Sequence, residues 1–207
     1  MSQIKAVVFD IGNVLIGWQP EQYFDRIIGE ERRRAMFEAV DLHAMNDRVD
    51  RGENLMDVVA ETAPQYPAYA DEIRMWGDHW IDLTGPVIDH SVRLLRALRA
   101  NDVTVFALSN FGRDTFEMAE PVYPFLTEFD RRYISGHMKC IKPDPQIYQM
   151  VEADCGLAPS DLLFTDDRQD NIDMALSRGW HAHRFTHARG FADRLVAEGL
   201  LTMEDAQ

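Results

Sequence analysis

Cysteine is scarce in this sequence. Only Cys140 and Cys155 occur among 207 residues, and they do not form a CxxC pair. A chain of this size has enough core to fold without disulfide staples, so a reducing, cytoplasmic setting is expected. Basic charge is also short. Lys and Arg total 21 against 35 Asp and Glu, a formal net charge of −14. Phosphate backbones and anionic lipid repel such a chain, which argues against nucleic acid and membrane surfaces as partners. No apolar run approaches the ~20 residues of a membrane span. The opening residues enter a strand pattern at Ile4 and lack the layout of a signal peptide. Internal repeats and low-complexity tracts are absent. Apolar residues at 46% and charged residues at 27% are the ordinary mixture of a globular protein, so disorder and collagen-like structure are excluded.

Four short apolar runs are present. Residues 4–9 (IKAVVF) stop at Asp10, and 103–108 (VTVFAL) stop at Ser109-Asn110. Residues 162–165 (LLFT) stop at Asp166-Asp167, and a fourth run spans Trp180 to Phe185. Helical patterns lie between them at 87–100, 144–156 and 169–178, with Leu and Met stripes that read as core-facing. Strands alternating with helices predict an α/β fold, a Rossmann-like doubly wound parallel sheet. Ligands bind such sheets beyond the carboxyl ends of the strands. The residues that end three of these runs are all polar.

Residues 16–85 break the alternation. Their composition is helical, no β-branched strand stands out, and Pro64 and Pro67 interrupt them. They read as a helical cap inserted into a core made of residues 1–15 and 86–207.

The strand-end residues suit one chemistry. A carboxylate such as Asp10 is ionised at neutral pH and attacks phosphorus without a base. The phosphate is itself an anion, so positive charge must offset the repulsion. Mg²⁺ on carboxylate ligands suits this, and a lysine such as Lys142 adds a point charge. A Ser109 hydroxyl and main-chain N–H groups hold the other phosphoryl oxygens.

Four segments, in order, carry a resemblance. They are Val7-Val-Phe-Asp10-Ile-Gly-Asn-Val-Leu15, Ala107-Leu-Ser109-Asn110, the stretch Ser135 to Tyr148 with Lys142-Pro-Asp-Pro inside it, and Leu162-Leu-Phe-Thr-Asp166-Asp167-Arg-Gln-Asp-Asn171. The sequence resembles the haloacid dehalogenase superfamily of aspartate-nucleophile hydrolases over nearly its whole length. The resemblance implies a Rossmann-like core with a helical cap between the first two motifs. It implies Asp10 as nucleophile and Lys142 as the charge-neutralising lysine, with Lys139 as a rival that lacks the Lys-Pro-Asp-Pro context. Ser109, Asn110, Gly12 and Asn13 are the expected substrate- and phosphate-binding residues. Mg²⁺ is the expected cofactor, held by Asp10, the main-chain carbonyl of Gly12, Asp167 and Asp166, with Asn171 in support. Trp18 is a candidate to line the pocket from the cap side.

One position departs from the family pattern. Phosphatases of this superfamily carry a second Asp two residues after the nucleophile, which protonates the leaving group and then activates water. Here that position is Gly12. Loss of a general acid typically costs ~10²–10⁴-fold. The expected function is therefore Mg²⁺-dependent hydrolysis of a small phosphomonoester, sugar phosphates included, with an easily departing leaving group or a proton from the cap or a water. The alternatives are metal-independent 2-haloacid dehalogenation, which also lacks the second Asp, and a non-catalytic phosphate-binding role. Asp166-Asp167 argues against dehalogenation: carboxylates without a cation would repel an anionic substrate by about 4 kcal/mol per pair at 4 Å and an effective dielectric constant of 20. His181 and His183 share a strand face, but no third ligand is apparent. Oligomeric state is left open.

Overall fold

The computed structural model describes residues 4–207. Along the chain it runs β1 (Ala6–Phe9), β2 (Ile16–Trp18), α1 (Pro20–Ile28), α2 (Glu30–Ala39), α3 (Leu42–Asp50), α4 (Leu55–Thr62), α5 (Ala70–Asp78), β3 (Thr84–Val87), α6 (Asp89–Ala100) and β4 (Thr104–Ser109). It continues with α7 (Arg113–Ala119), β5 (Arg131–Ile134), α8 (Ser135–Met138), α9 (Pro145–Cys155), β6 (Leu162–Asp166), α10 (Gln169–Ser177), β7 (His181–Arg184) and α11 (Ala188–Ala197).

Five strands form one parallel sheet in the order β5-β4-β1-β6-β7. Side-chain alternation along β1 sends Val7 and Phe9 to one face and Ala6 and Val8 to the other. The first pair packs in one core with Leu94, Leu95 and Leu98 of α6 and Phe191 and Leu195 of α11. The second packs with Ile147, Tyr148 and Val151 of α9 and Ile172 and Ala175 of α10. Burial on both faces is why β1, β4 and β6 read as unbroken apolar runs. The helices over them make this the Rossmann-like α/β fold that the alternation predicts.

Chain direction and register together bring the polar strand ends to one place. From β1 the chain moves to β4 and β5 on one side, then crosses to β6 and β7 on the other. That reversal leaves a crevice at the carboxyl end of β1. Phe9 pairs with Ala107 of β4 and with Thr165 of β6. The next residue, Asp10, is therefore level with Asp166 and one step from Ser109.

Three features were not anticipated. Edge strand β5 begins with exposed Arg131 and Arg132, so it has no apolar run to announce it. Helices α7, α8 and α11 add to the three expected in the core. Helices α1 to α5 lie between β2 and β3, which form an antiparallel ribbon with Ile16 opposite Val87 and Trp18 opposite Thr84. Residues 84–87 belong to that ribbon, so the helix expected from 87 starts at Asp89. The ribbon is too short for a hydrophobic period, and its tight approach requires glycine. A Cβ at Gly17 would stand 2.6 Å from the carbonyl oxygen of Gly85. No described helix is long and apolar enough to cross a membrane.

Candidate functional site

Lys142 organises the crevice. Its side chain is buried, with Nζ 2.9 Å from Oδ1 of Asp10 and 2.5 Å from Oδ2 of Asp166. The ammonium also lies 5.2 Å from the ring centre of Phe164, a distance at which a cation is attracted to the ring face. Burial alone would lower the Lys142 pKa, but the charges of Asp10 and Asp166 outweigh it and hold the pKa raised. The reverse holds at Asp10. Burial raises its pKa, Lys142 pulls it back, and Asp166 pushes it up again. The rival Lys139 is exposed and sits in a left-handed turn.

Ser109 ends β4 with its hydroxyl donating to Oδ1 of Asp10 at 2.7 Å. Asp166 ends β6 fully buried. Its carboxylate accepts from Lys142, from the main-chain N–H of Arg168 at 2.8 Å and from the Asn171 amide at 3.0 Å. The main chain of Asn171 is held in turn, because its backbone carbonyl accepts the Tyr148 hydroxyl at 3.0 Å. Asp167 is half-buried, and burial raises its pKa while the Asn13 amide lowers it.

Two asparagines lie beside the crevice with their side chains otherwise engaged. Asn110 donates its amide to the carbonyl of Lys142 at 2.9 Å and accepts the Lys142 N–H at 2.7 Å. Its side chain thus clamps the lysine's main chain. Asn13 has φ of +55°, a conformation asparagine tolerates. Its amide donates to Asp167 at 3.1 Å and accepts the Trp18 N–H at 2.9 Å. Gly12 is open: a Cβ there would meet nothing within 4 Å.

Asp10, Asp166 and Asp167 bring one carboxylate oxygen each to within 4.8 Å of one another. Three carboxylates with one ammonium among them carry excess negative charge in a largely buried place. The donors are all hard oxygens. Both facts fit Mg²⁺ and argue against a soft metal.

A cavity of about 230 Å³ opens on this cluster. Its other walls come from the insertion and were not evident in the sequence: His43, Asn46, Asp47 and Asp50 of α3, and Trp76, Trp80 and Thr84. Phe111 and Tyr123 close it from the core side. Trp18 lines it too, packed on Trp76 and Trp80 at ring-centre distances of 5.8 and 5.7 Å. Trp80 in turn lies 5.3 Å from Phe111, which joins the insertion to the loop after β4. Asp50 is 8% exposed. Burial pushes its pKa up to about 7, the charges of Asp47 and Asp10 add to this, and hydrogen bonds from Asn46 and the Gly112 main chain oppose it.

The family model for haloacid dehalogenase-like hydrolases matches residues 4–179. Among curated proteins, flavin mononucleotide hydrolase 1, chloroplastic, of Arabidopsis thaliana is 29% identical over 122 residues, covering 55% of this chain and 46% of that protein. Drimenol cyclase drtB of Aspergillus calidoustus is 31% identical over 94 residues, covering 44% of this chain and 18% of that protein. The chain thus spans less than half the length of either relative. Among solved structures, an HAD-like hydrolase of Porphyromonas gingivalis superposes with a TM-score of 0.71 at 20% identity, covering 94% of this chain and 98% of the other. The HAD family enzyme bt-2542 of Bacteroides thetaiotaomicron, in complex with magnesium and inorganic phosphate, superposes at 0.63 with 20% identity, over 87% and 93% of the two chains. L-2-haloacid dehalogenase of Xanthobacter autotrophicus, with chloropropionic acid covalently bound, gives 0.60 at 18% identity, over 98% and 86%. At these identities the structural matches speak to the fold.

Proposed function

The chain belongs to the haloacid dehalogenase-like hydrolases, and we propose that it is a Mg²⁺-dependent phosphatase of small phosphomonoesters, sugar phosphates among them, working through an aspartyl-phosphate on Asp10. The observation that carries this reading is the cluster of three carboxylates, Asp10, Asp166 and Asp167, around a single lysine. A metal-free dehalogenase would have to bind an anionic haloacid against that excess negative charge.

In this mechanism Asp10 attacks phosphorus, the bond to the leaving oxygen breaks, and water then hydrolyses the aspartyl-phosphate. Mg²⁺ held by Asp10, Asp167, Asp166 and the carbonyl of Gly12 would supply the charge that lets two anions approach. Lys142 adds a fixed positive charge already in contact with Asp10. The Ser109 hydroxyl, 2.7 Å from Asp10, turns to a phosphoryl oxygen. Asn110 holds the Lys142 main chain, Asn13 steadies Asp167, and Asn171 steadies Asp166. Residues 16–85 act as the cap that covers the substrate, with Trp18 as one of its walls.

The cap side of the cavity also restricts the alcohol. It presents His43, Asn46, Asp47, Asp50 and aromatic rings. The guanidinium that lines the same cavity, Arg168, is paired with Asp170. A second anionic group on the substrate would therefore meet Asp47 without a free cation, and the alcohol is uncharged in this reading. The kinship with a flavin mononucleotide hydrolase is compatible with a single phosphate on an uncharged body.

The test is phosphate release from a panel of p-nitrophenyl phosphate, glucose 1-phosphate, glucose 6-phosphate and flavin mononucleotide, with Mg²⁺ and with EDTA. Release that requires Mg²⁺ supports the reading. Halide release from 2-chloropropionate with no phosphate release would replace it with dehalogenation, and neither activity would leave a binding role.

A further inference from the structure

We infer that Asp50, on the insertion, is the general acid and base of the reaction, standing in for the carboxylate that Gly12 cannot provide. The inference rests on the phosphatase reading and deepens it.

Three observations converge. Gly12 leaves open space where the chain's own first motif supplies no proton donor. Asp50 lines the cavity that holds Asp10, close enough for the Asp10 charge to act on it. Its position is fixed to the core. Its carbonyl accepts the Ser135 hydroxyl at 2.7 Å, and the same hydroxyl accepts the Phe111 N–H at 2.9 Å. Phe111 lies two residues past Ser109, so one short relay ties the phosphate-side loop to the end of α3. Glycines permit the close docking. A Cβ at Gly52 would come 2.5 Å from the carbonyl oxygen of Gly136, and one at Gly112 would come 2.5 Å from the Val49 side chain.

The carboxyl itself is suitably held. The Asn46 amide donates to Oδ2 at 2.9 Å, which orients the group. The charged groups that act on it are Asp47 on its own helix and Asp10 from the core. The nearby ions of α7 are otherwise engaged, Arg113 with Asp114 and Asp114 with Asn54. Burial and the two neighbouring carboxylates bring Asp50 to a pKa of about 7, close to the value at which one group gives and takes a proton equally well.

The protons balance through one cycle. Asp10 attacks phosphorus, the phosphorus–oxygen bond to the alcohol breaks, and protonated Asp50 gives its proton to the departing oxygen. The carboxylate left on Asp50 then takes a proton from water as the water oxygen attacks phosphorus. The bond to Asp10 breaks, inorganic phosphate forms, and Asp50 is protonated again.

The experiment compares wild type with Asp50→Asn on p-nitrophenyl phosphate, whose leaving group needs no proton, and glycerol 1-phosphate, whose leaving group does. Asn keeps the shape and can still accept the Asn46 bond. Expected is a loss of about 10²–10⁴-fold in kcat on the glycerol ester. On p-nitrophenyl phosphate the variant should give a burst of one equivalent of nitrophenolate, then slow turnover with phosphorylated protein accumulating. Gly12→Asp added to Asp50→Asn should recover at least tenfold on the glycerol ester. A variant that matches wild type on both esters, or loses both equally with no burst, overturns the role. No phosphate release by wild type from any ester would overturn the phosphatase reading itself, a result distinguishable from the others.

Discussion

The ammonium of Lys142 lies 2.9 Å from Asp10, with Asp166 at 2.5 Å on its other side. All three side chains are at most 9% exposed. One buried cation thus holds two buried anions, and removing it leaves both unpaired. Breaking such a pair costs about 3–5 kcal/mol. Lys142→Met is expected to lose that much at pH 7 in denaturant titration, and much less at pH 4, where the carboxylates are free to protonate. Activity should fall with it.

Asp167 and its partner Asn13 give a second prediction. A cation that binds only the folded state stabilises it in proportion to the logarithm of its concentration. Mg²⁺ is expected to raise the Tm of the wild type. Asp167→Asn should abolish the rise, and Asn13→Ala should weaken it while leaving the metal-free Tm within about 1 °C per few tenths of a kcal/mol lost. An Asp167→Asn protein whose Tm responds to Mg²⁺ as wild type does would remove Asp167 from the ligand set.

Gly12 yields the third. Its Cβ position is empty to 4 Å, and it adjoins the nucleophile. Gly12→Asp in the otherwise native chain should fold normally and change the hydrolysis of alkyl phosphates little, because Asp50 already supplies the proton. In the Asp50→Asn chain it should quicken alkyl phosphates more than p-nitrophenyl phosphate. A loss on both would show that the glycine is needed for itself.

Asp50 predicts how stability varies with pH. Its folded pKa of about 7 lies above the ordinary carboxylate value of 3.8. Below the lower value both states hold the proton, and no stability is lost. Between the two, the unfolded chain gives up its proton while the folded chain keeps it, so stability falls as pH rises. The fall ends above the folded pKa. At about 1.36 kcal/mol per pKa unit, the group costs up to ~4 kcal/mol at pH 8. Asp50→Asn should be more stable than wild type at pH 8 and should show a flatter profile between pH 4 and pH 7. A cost of this kind is what a functional carboxyl in a closed site imposes.

The sequence disclosed the parts of this fold that are buried on both faces. β1, β4 and β6 announce themselves because a central parallel strand has no polar face. Each ends on a polar residue, and the register of Phe9 with Ala107 and Thr165 then brings those residues together. Edge strand β5 was hidden by Arg131 and Arg132, and the ribbon of β2 and β3 by its brevity. The far wall of the cavity was hidden for a different reason. His43, Asn46, Asp47 and Asp50 lie on α3, a short polar helix with no motif to single them out. Only the docking of α3 onto Ser135 and Gly136 turns one edge of it inward. The roles of Asn110 and Asn13 were illegible too, since a side-chain amide beside a motif does not reveal which main chain it holds.

The central claim is a covalent phosphoryl on Asp10, and acid quench during turnover of p-nitrophenyl phosphate with Mg²⁺, followed by peptide mapping, measures it directly. The account predicts phosphate on Asp10 in the wild type. It predicts none in Asp10→Asn, whose turnover should fall more than about 10⁴-fold with the fold intact. Steady turnover in Asp10→Asn, once deamidation is excluded, or a phosphoryl group trapped on a different residue, would contradict it.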